Sequence, residues 1–117
     1  MKMLMILNDP PYGTERVYNG LRLAMNVLAK HEQVEVSVFL LGDAASAAKS
    51  GQQTPNGYYN VERMLTSVLR KGATVRVCGT CMDARGLTDA ELAEGAARST
   101  MDELTQMTVD ADKVLVF

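Results

Sequence analysis

Met3-Leu4-Met5-Ile6-Leu7-Asn8-Asp9-Pro10-Pro11-Tyr12-Gly13 opens the chain and sets its architecture. Met3 to Leu7 is apolar without alternation, as in a strand buried on both faces of a parallel sheet. Asn8 to Gly13 supplies turn chemistry and cannot extend a strand. Thr14 is placed to cap a helix running to about Lys30. Val17, Leu21, Ala24 and Leu28 share one face of it, and Leu23, Met25 and Val27 widen that face. Gly20 costs such a helix about 1 kcal/mol relative to alanine, which marks a site of close packing.

The same alternation continues downstream. Val34 to Leu41 reads as a second strand closed by Gly42-Asp43, and Asp43 can cap a short Ala-rich helix ending near Ser50. Gly51 to Gly57 is the longest loop-like stretch, of the kind that either carries function or merely connects. Asn60 can cap a helix in which Val61, Met64, Leu65 and Val68 fall at i, i+3, i+4 and i+7. Gly72 ends that helix. Ala73 to Val77 is a third, β-branched strand running directly into Cys78-Gly79-Thr80-Cys81 and then a loop. Thr88-Asp89-Ala90-Glu91 has the pattern of a capping box opening a helix. A last helix is expected over about Arg98 to Val109, with Ala97, Met101, Leu104 and Thr108 on one face. A terminal strand follows over Lys113 to Phe117. Strands alternating with helices imply βαβ units, right-handed crossovers and a mostly parallel sheet covered on both faces.

Composition narrows the function classes. The 117 residues suit one domain, 1–117, and 47% of them are hydrophobic with a net charge of −2, which excludes a disordered chain. No apolar run approaches the roughly 18 residues of a membrane span. Lys2 and its apolar followers are too short for a signal peptide. Acidic residues outnumber basic ones, 14 to 12, and no basic face of the kind nucleic acid requires is visible. Two cysteines do not make a secreted disulfide scaffold. A cytoplasmic protein with reduced thiols is the expectation.

In open parallel sheets, ligands bind beyond the carboxyl ends of the strands. Asn8–Gly13, Gly42–Asp43 and Cys78–Cys81 lie there. Cys78 and Cys81 are the sharpest chemical signal, because a thiolate is a strong nucleophile and turn N–H groups stabilise it. Gly79 lets the backbone approach closely, and Arg76 and Arg85 are near enough in sequence to add positive charge. Several readings stay open. The pair is a redox dithiol, although here it follows the third strand rather than opening a long helix. It is half of a zinc site, although four ligands are needed and the single histidine, His31, lies far away in sequence at a helix end. It is a sulfur carrier, with one thiolate holding a persulfide. Or both cysteines are small buried hydrophobes. Asp9, Asp43 and Asp83 could meet at the sheet edge as an acid/base or Mg²⁺ cluster, but helix capping and turn formation are the roles expected of them. No cofactor or metal is expected. Most of the eight methionines sit on the apolar faces named above and are expected to pack the core.

Together these segments resemble the DsrE/DsrF-like family. The resemblance is carried by Asn8-Asp9-Pro10-Pro11-Tyr12-Gly13, Leu21-Arg22-Leu23-Ala24, Phe39-Leu40-Leu41-Gly42-Asp43-Ala44 and Gly57-Tyr58-Tyr59-Asn60. It continues through Cys78 to Gly86 and Ala111-Asp112-Lys113-Val114-Leu115. The chain is most similar to the small single-domain branch. The resemblance implies a flavodoxin-like three-layer α/β/α fold and assembly into homo-oligomers, trimers or hexamers. It further implies sulfur relay, a sulfurtransferase-type activity in which Cys78 accepts a persulfide sulfur from a donor protein and passes it to an acceptor. Cys81 departs from the single-cysteine pattern of many relay members and would resolve the persulfide or serve as an auxiliary thiol. Gly79, Thr80 and Arg85 are expected to stabilise the anion, with Asn8, Tyr12 and Gly13 lining the cleft. Two alternatives stand beside this reading. One is a C-x-x-C dithiol redox protein. The other is a non-catalytic module whose clefts, lined by Asn8–Gly13 and Gly51–Tyr59, hold a small ligand or a partner's tail.

Overall fold

A computed structural model describes residues 1–117. Five strands form one sheet in the order β4-β3-β2-β1-β5: β1 (Lys2–Leu7), β2 (Glu35–Leu40), β3 (Thr74–Cys78), β4 (Ala96–Ser99) and β5 (Lys113–Val116). Every pairing is parallel, so the sheet is wholly rather than mostly parallel. Four helices connect the strands: α1 (Arg16–Lys30), α2 (Val61–Arg70), α3 (Gly79–Ala84) and α4 (Met101–Asp110). No helix is long and apolar enough to cross a membrane.

The strand order follows from one rule. Steps from β1 to β4 all move in the same direction, so right-handed crossovers place α1 and α2 on one face. The return from β4 to β5 runs the other way and places α4 on the opposite face. The two faces are filled unequally. Met5, Leu7, Val36, Val38, Leu40, Val75 and Val77 meet Val17, Leu21, Leu65 and Val68 of α1 and α2 in a large core. The α4 face holds a small one, built on Leu4, Phe39, Cys78 and Leu104.

Gly20 shows why α1 tolerates a glycine. A Cβ there would come 2.8 Å from Leu7 Cδ2 and 3.3 Å from the Phe117 ring. Asn60 caps α2 as its spacing indicates, its Oδ1 accepting from the Arg63 N–H at 3.1 Å.

Three expectations are corrected. The segment Arg98 to Val109 is not one helix: Ala96–Ser99 is the edge strand β4, and Thr100, not Arg98, marks the helix start. Two alanines and an arginine give no β-branched signal; pairing with β3 alone makes this a strand. The Thr88 capping box is present, with the Thr88 N–H and hydroxyl donating to Glu91 Oε1, but it opens a single 3₁₀ turn, Asp89–Glu91. The Ala-rich segment is likewise a 3₁₀ helix, Gly42–Ala48, with Leu41 rather than Asp43 at its cap. In addition, α1 begins at Arg16, two residues beyond the expected Thr14 cap. Thr14 instead donates its hydroxyl to Asp9.

Candidate functional site: the Cys78–Cys81 turn

β3 delivers Cys78 to the carboxyl edge of the sheet, where the chain turns at once into α3. The loop expected after the cysteines is therefore a helix. Cys78 is its N-cap residue, and its Sγ accepts from the Cys81 N–H at 3.4 Å. The Thr80 Oγ1 lies 3.3 Å from the same sulfur. Cys81, three residues on, faces the same way, and its thiol donates to Cys78 Sγ across 2.7 Å. Both thiols are free. That separation is longer than the bond of about 2.05 Å in a disulfide. A neighbouring loop completes the turn, with the Gly42 N–H donating to Cys81 Sγ at 3.2 Å. Gly42 has φ +55°, a left-handed conformation that a side chain would strain.

These contacts separate the two sulfurs electrostatically. Burial alone would push the Cys78 thiol up. The hydrogen bonds from the Cys81 thiol, the Thr80 hydroxyl and the Cys81 and Thr80 N–H groups outweigh it and bring Cys78 below the ordinary cysteine range. Cys81 moves the other way. Burial raises it first, then its donation to Cys78, with the Gly42 N–H and the Arg85 charge offsetting only part. Cys78 is buried and Cys81 half-buried, with Thr80 exposed between them.

Two arginine–aspartate pairs frame the turn. Arg85 donates to Asp43 from Nη2 at 2.7 Å and to the Cys81 carbonyl from Nη1 at 3.0 Å. Arg98 makes a two-pronged pair with Asp83 at 2.8 Å and 2.8 Å, and its guanidinium lies directly over Gly79. That pair holds the Asp83 carboxyl below its usual range. The structure thus brings Cys78, Gly79, Thr80, Cys81 and Arg85 together.

Other expected site residues sit elsewhere or act indirectly. Asn8 touches the site through its backbone oxygen, which lies 3.5 Å from where a Gly42 Cβ would be, while its side chain donates to the Phe117 carbonyl. The Tyr12 hydroxyl is committed to the next loop: it donates to Gln52 Oε1 at 2.6 Å and accepts from the Val61 N–H at 3.0 Å. Gly13 is an open turn residue with φ +98°. Arg76 points to the α4 face, 3.2 Å from Glu103. Asp9, Asp43 and Asp83 do not meet; each pairs with a separate arginine, Arg16, Arg85 and Arg98. No group of three His, Cys, Asp or Glu side chains is close enough to hold a metal ion. His31 is exposed at the C-cap of α1.

Arg98 is the site residue that sequence reasoning missed. Once its segment is read as a helix, its proximity to Gly79 cannot be seen. The register Val77↔Arg98 and Cys78↔Ser99 is what brings it there.

The DsrE/DsrF-like family model matches residues 1–117. The chain belongs to this family. Protein YchN of Escherichia coli is 37% identical over 116 residues, covering 99% of this chain and 98% of that protein. The uncharacterized protein MJ0989 of Methanocaldococcus jannaschii is 39% identical over 117 residues, end to end in both. The crystal structure of the E. coli YchN protein superposes with a TM-score of 0.94 over 99% of this chain and 98% of that one. A protein of unknown function from Methanobacterium thermoautotrophicum, MTH1491, is 14% identical with a TM-score of 0.78, over 99% and 97% of the two chains. It shares the fold alone. The DsrE/DsrF-like α/β architecture expected from the sequence is therefore that of the chain.

Proposed function

We propose that this chain is a cytoplasmic sulfur-relay protein of sulfurtransferase type that carries a persulfide on Cys78. The observation that carries the reading is the hydrogen-bonded Cys78 sulfur at the end of β3. The Cys81 and Thr80 donors make it more acidic than an ordinary cysteine, so it is the better nucleophile of the pair near neutral pH. Membership in the DsrE/DsrF-like family supports the same direction. Cys78 would take sulfane sulfur from a donor persulfide and give it up to an acceptor thiol, each supplied by another protein. We further propose that the chain works as a homo-oligomer, a trimer or hexamer. On the thinly covered α4 face, Val114 and Val116 share the side of β5 that Leu4 and Ile6 occupy on β1, and Val116 is 65% exposed. An apolar strip there suits burial against another copy.

The test is intact-protein mass spectrometry without reductant, after incubation with a cysteine desulfurase and cysteine. Cys81→Ser, in which Cys78 is the one thiol left, should gain one sulfur atom that reductant removes, and Cys78→Ser should gain none. Loading retained by Cys78→Ser would sink the assignment.

A second reading, a dithiol redox protein, draws on the 2.7 Å contact between the thiols. It expects a reversible Cys78–Cys81 disulfide and no persulfide. A third, a binding module, draws on the groove of about 990 Å³ between α1 and α2, where Tyr18, Tyr58 and Tyr59 line the wall. It expects thiols inert in the folded protein.

A further inference from the structure

The second cysteine lies against the first, and its sulfur has a hydrogen-bond donor of its own. Cys81 Sγ is 2.7 Å from Cys78 Sγ and accepts from the Gly42 N–H at 3.2 Å, a donor that does not touch Cys78. A sulfur loaded on Cys78 would therefore arrive beside a nucleophile already in contact with the inner sulfur atom. Such preorganisation turns a bimolecular thiol exchange into an intramolecular one.

We infer that Cys81 discharges the Cys78 persulfide within the same chain, releasing hydrosulfide and leaving a Cys78–Cys81 disulfide. The inference rests on the persulfide-carrier reading. In the step, the Cys81 thiol gives up its proton to solvent water and its sulfur attacks Cys78 Sγ. A Cys81–Cys78 S–S bond forms as the bond between Cys78 Sγ and the outer sulfur breaks. The outer sulfur leaves with the electron pair as hydrosulfide. The sulfane sulfur is reduced, and the two cysteine sulfurs are oxidised by the same two electrons. No other oxidant is required, and a dithiol such as dithiothreitol resets the pair. Hydrosulfide is a better leaving group than an alkyl thiolate, so the exchange runs toward release. Arg85 donates to the Cys81 carbonyl, and its positive charge lowers the Cys81 thiol against the larger effects that raise it. The chain would thus convert sulfane sulfur to sulfide once per reduction, whereas a plain carrier hands it on unchanged.

The experiment loads reduced, full-length protein with glutathione persulfide, removes the reagent by desalting, and follows released sulfide and intact mass together. Wild type should release sulfide in proportion to the chain loaded and end lighter than the reduced protein by two hydrogens. The first-order rate should not change on dilution. Cys81→Ser and Cys81→Ala should keep the added sulfur, with sulfide release reduced to background. Two substitutions are used so that one poorly folded variant does not decide the outcome, and thermal melting checks both. If wild type and both variants hold the sulfur equally and no disulfide forms, the inference is overturned while the carrier reading stands. If none of the three accepts sulfur, the carrier reading fails and the inference falls with it.

Discussion

The guanidinium of Arg98 rests on Gly79, so close that a Cβ at Gly79 would fall 2.7 Å from Nε and 2.9 Å from Cζ. This contact joins the edge strand β4 to the first turn of α3, one residue from Cys78. Gly79→Ala should leave stability nearly unchanged. The displaced group is the far end of a flexible side chain, and alanine improves helix propensity by about 1 kcal/mol. It should loosen the Arg98–Asp83 pair, and the Asp83 carboxyl should move back up toward its usual range in NMR titration. Arg98→Gln should move Asp83 in the same direction. An unmoved Asp83 in both variants would show that the pair does not set its acidity.

The two thiols should titrate apart. Alkylation by iodoacetamide across pH should show Cys78 reacting with a midpoint below that of an ordinary cysteine, and Cys81 with one above it. Each variant removes a named contact, so the signs follow. Cys81→Ala takes a hydrogen-bond donor from Cys78 and should move its midpoint up. Cys78→Ala takes away the acceptor and the charge that raise Cys81, and should move that midpoint down. Peptide mapping reads both sites separately. Coincident midpoints in wild type would contradict the hydrogen-bond assignment.

Gly20 has no room to gain a methyl group. The neighbour at 2.8 Å is the fully buried Leu7, which cannot move freely. Gly20→Ala should destabilise the protein by up to about 2 kcal/mol, because overpacking of about 1–3 kcal/mol outweighs a propensity gain of about 1 kcal/mol. Urea unfolding at equilibrium checks it, and a more stable variant would place α1 farther from β1.

Tyr12→Phe should cost stability without altering the thiols. Removing the hydroxyl leaves the Val61 N–H, on a fully buried residue, without its acceptor. The expected loss is about 1–3 kcal/mol. Cys78 alkylation should proceed at the wild-type rate. A slowed Cys78 would return Tyr12 to the cysteine site.

Local sequence was enough to determine much of this protein. The unbroken apolar run Met3–Leu7 and the i, i+3, i+4, i+7 pattern of α2 report burial directly, because one sheet strand and one helix face each bury a fixed periodicity. Cys78 at the end of a β-branched strand pointed to the carboxyl edge of the sheet for the same reason. The Ala96–Ser99 strand could not be read this way. Its residues have little strand propensity, and what makes them a strand is the free β3 edge beside them. The identity of α3 was hidden too, since a helix of under two turns held by a cysteine cap has too few residues to display a periodicity. From that edge pairing comes the placement of Arg98 over Gly79. From the packing of the Gly42 loop onto α3 comes the second donor on Cys81. Sequence named the two sulfurs; the folding of Cys78–Cys81 into a capped, partly buried helical turn decided which one is drawn toward the thiolate and which is pushed away from it.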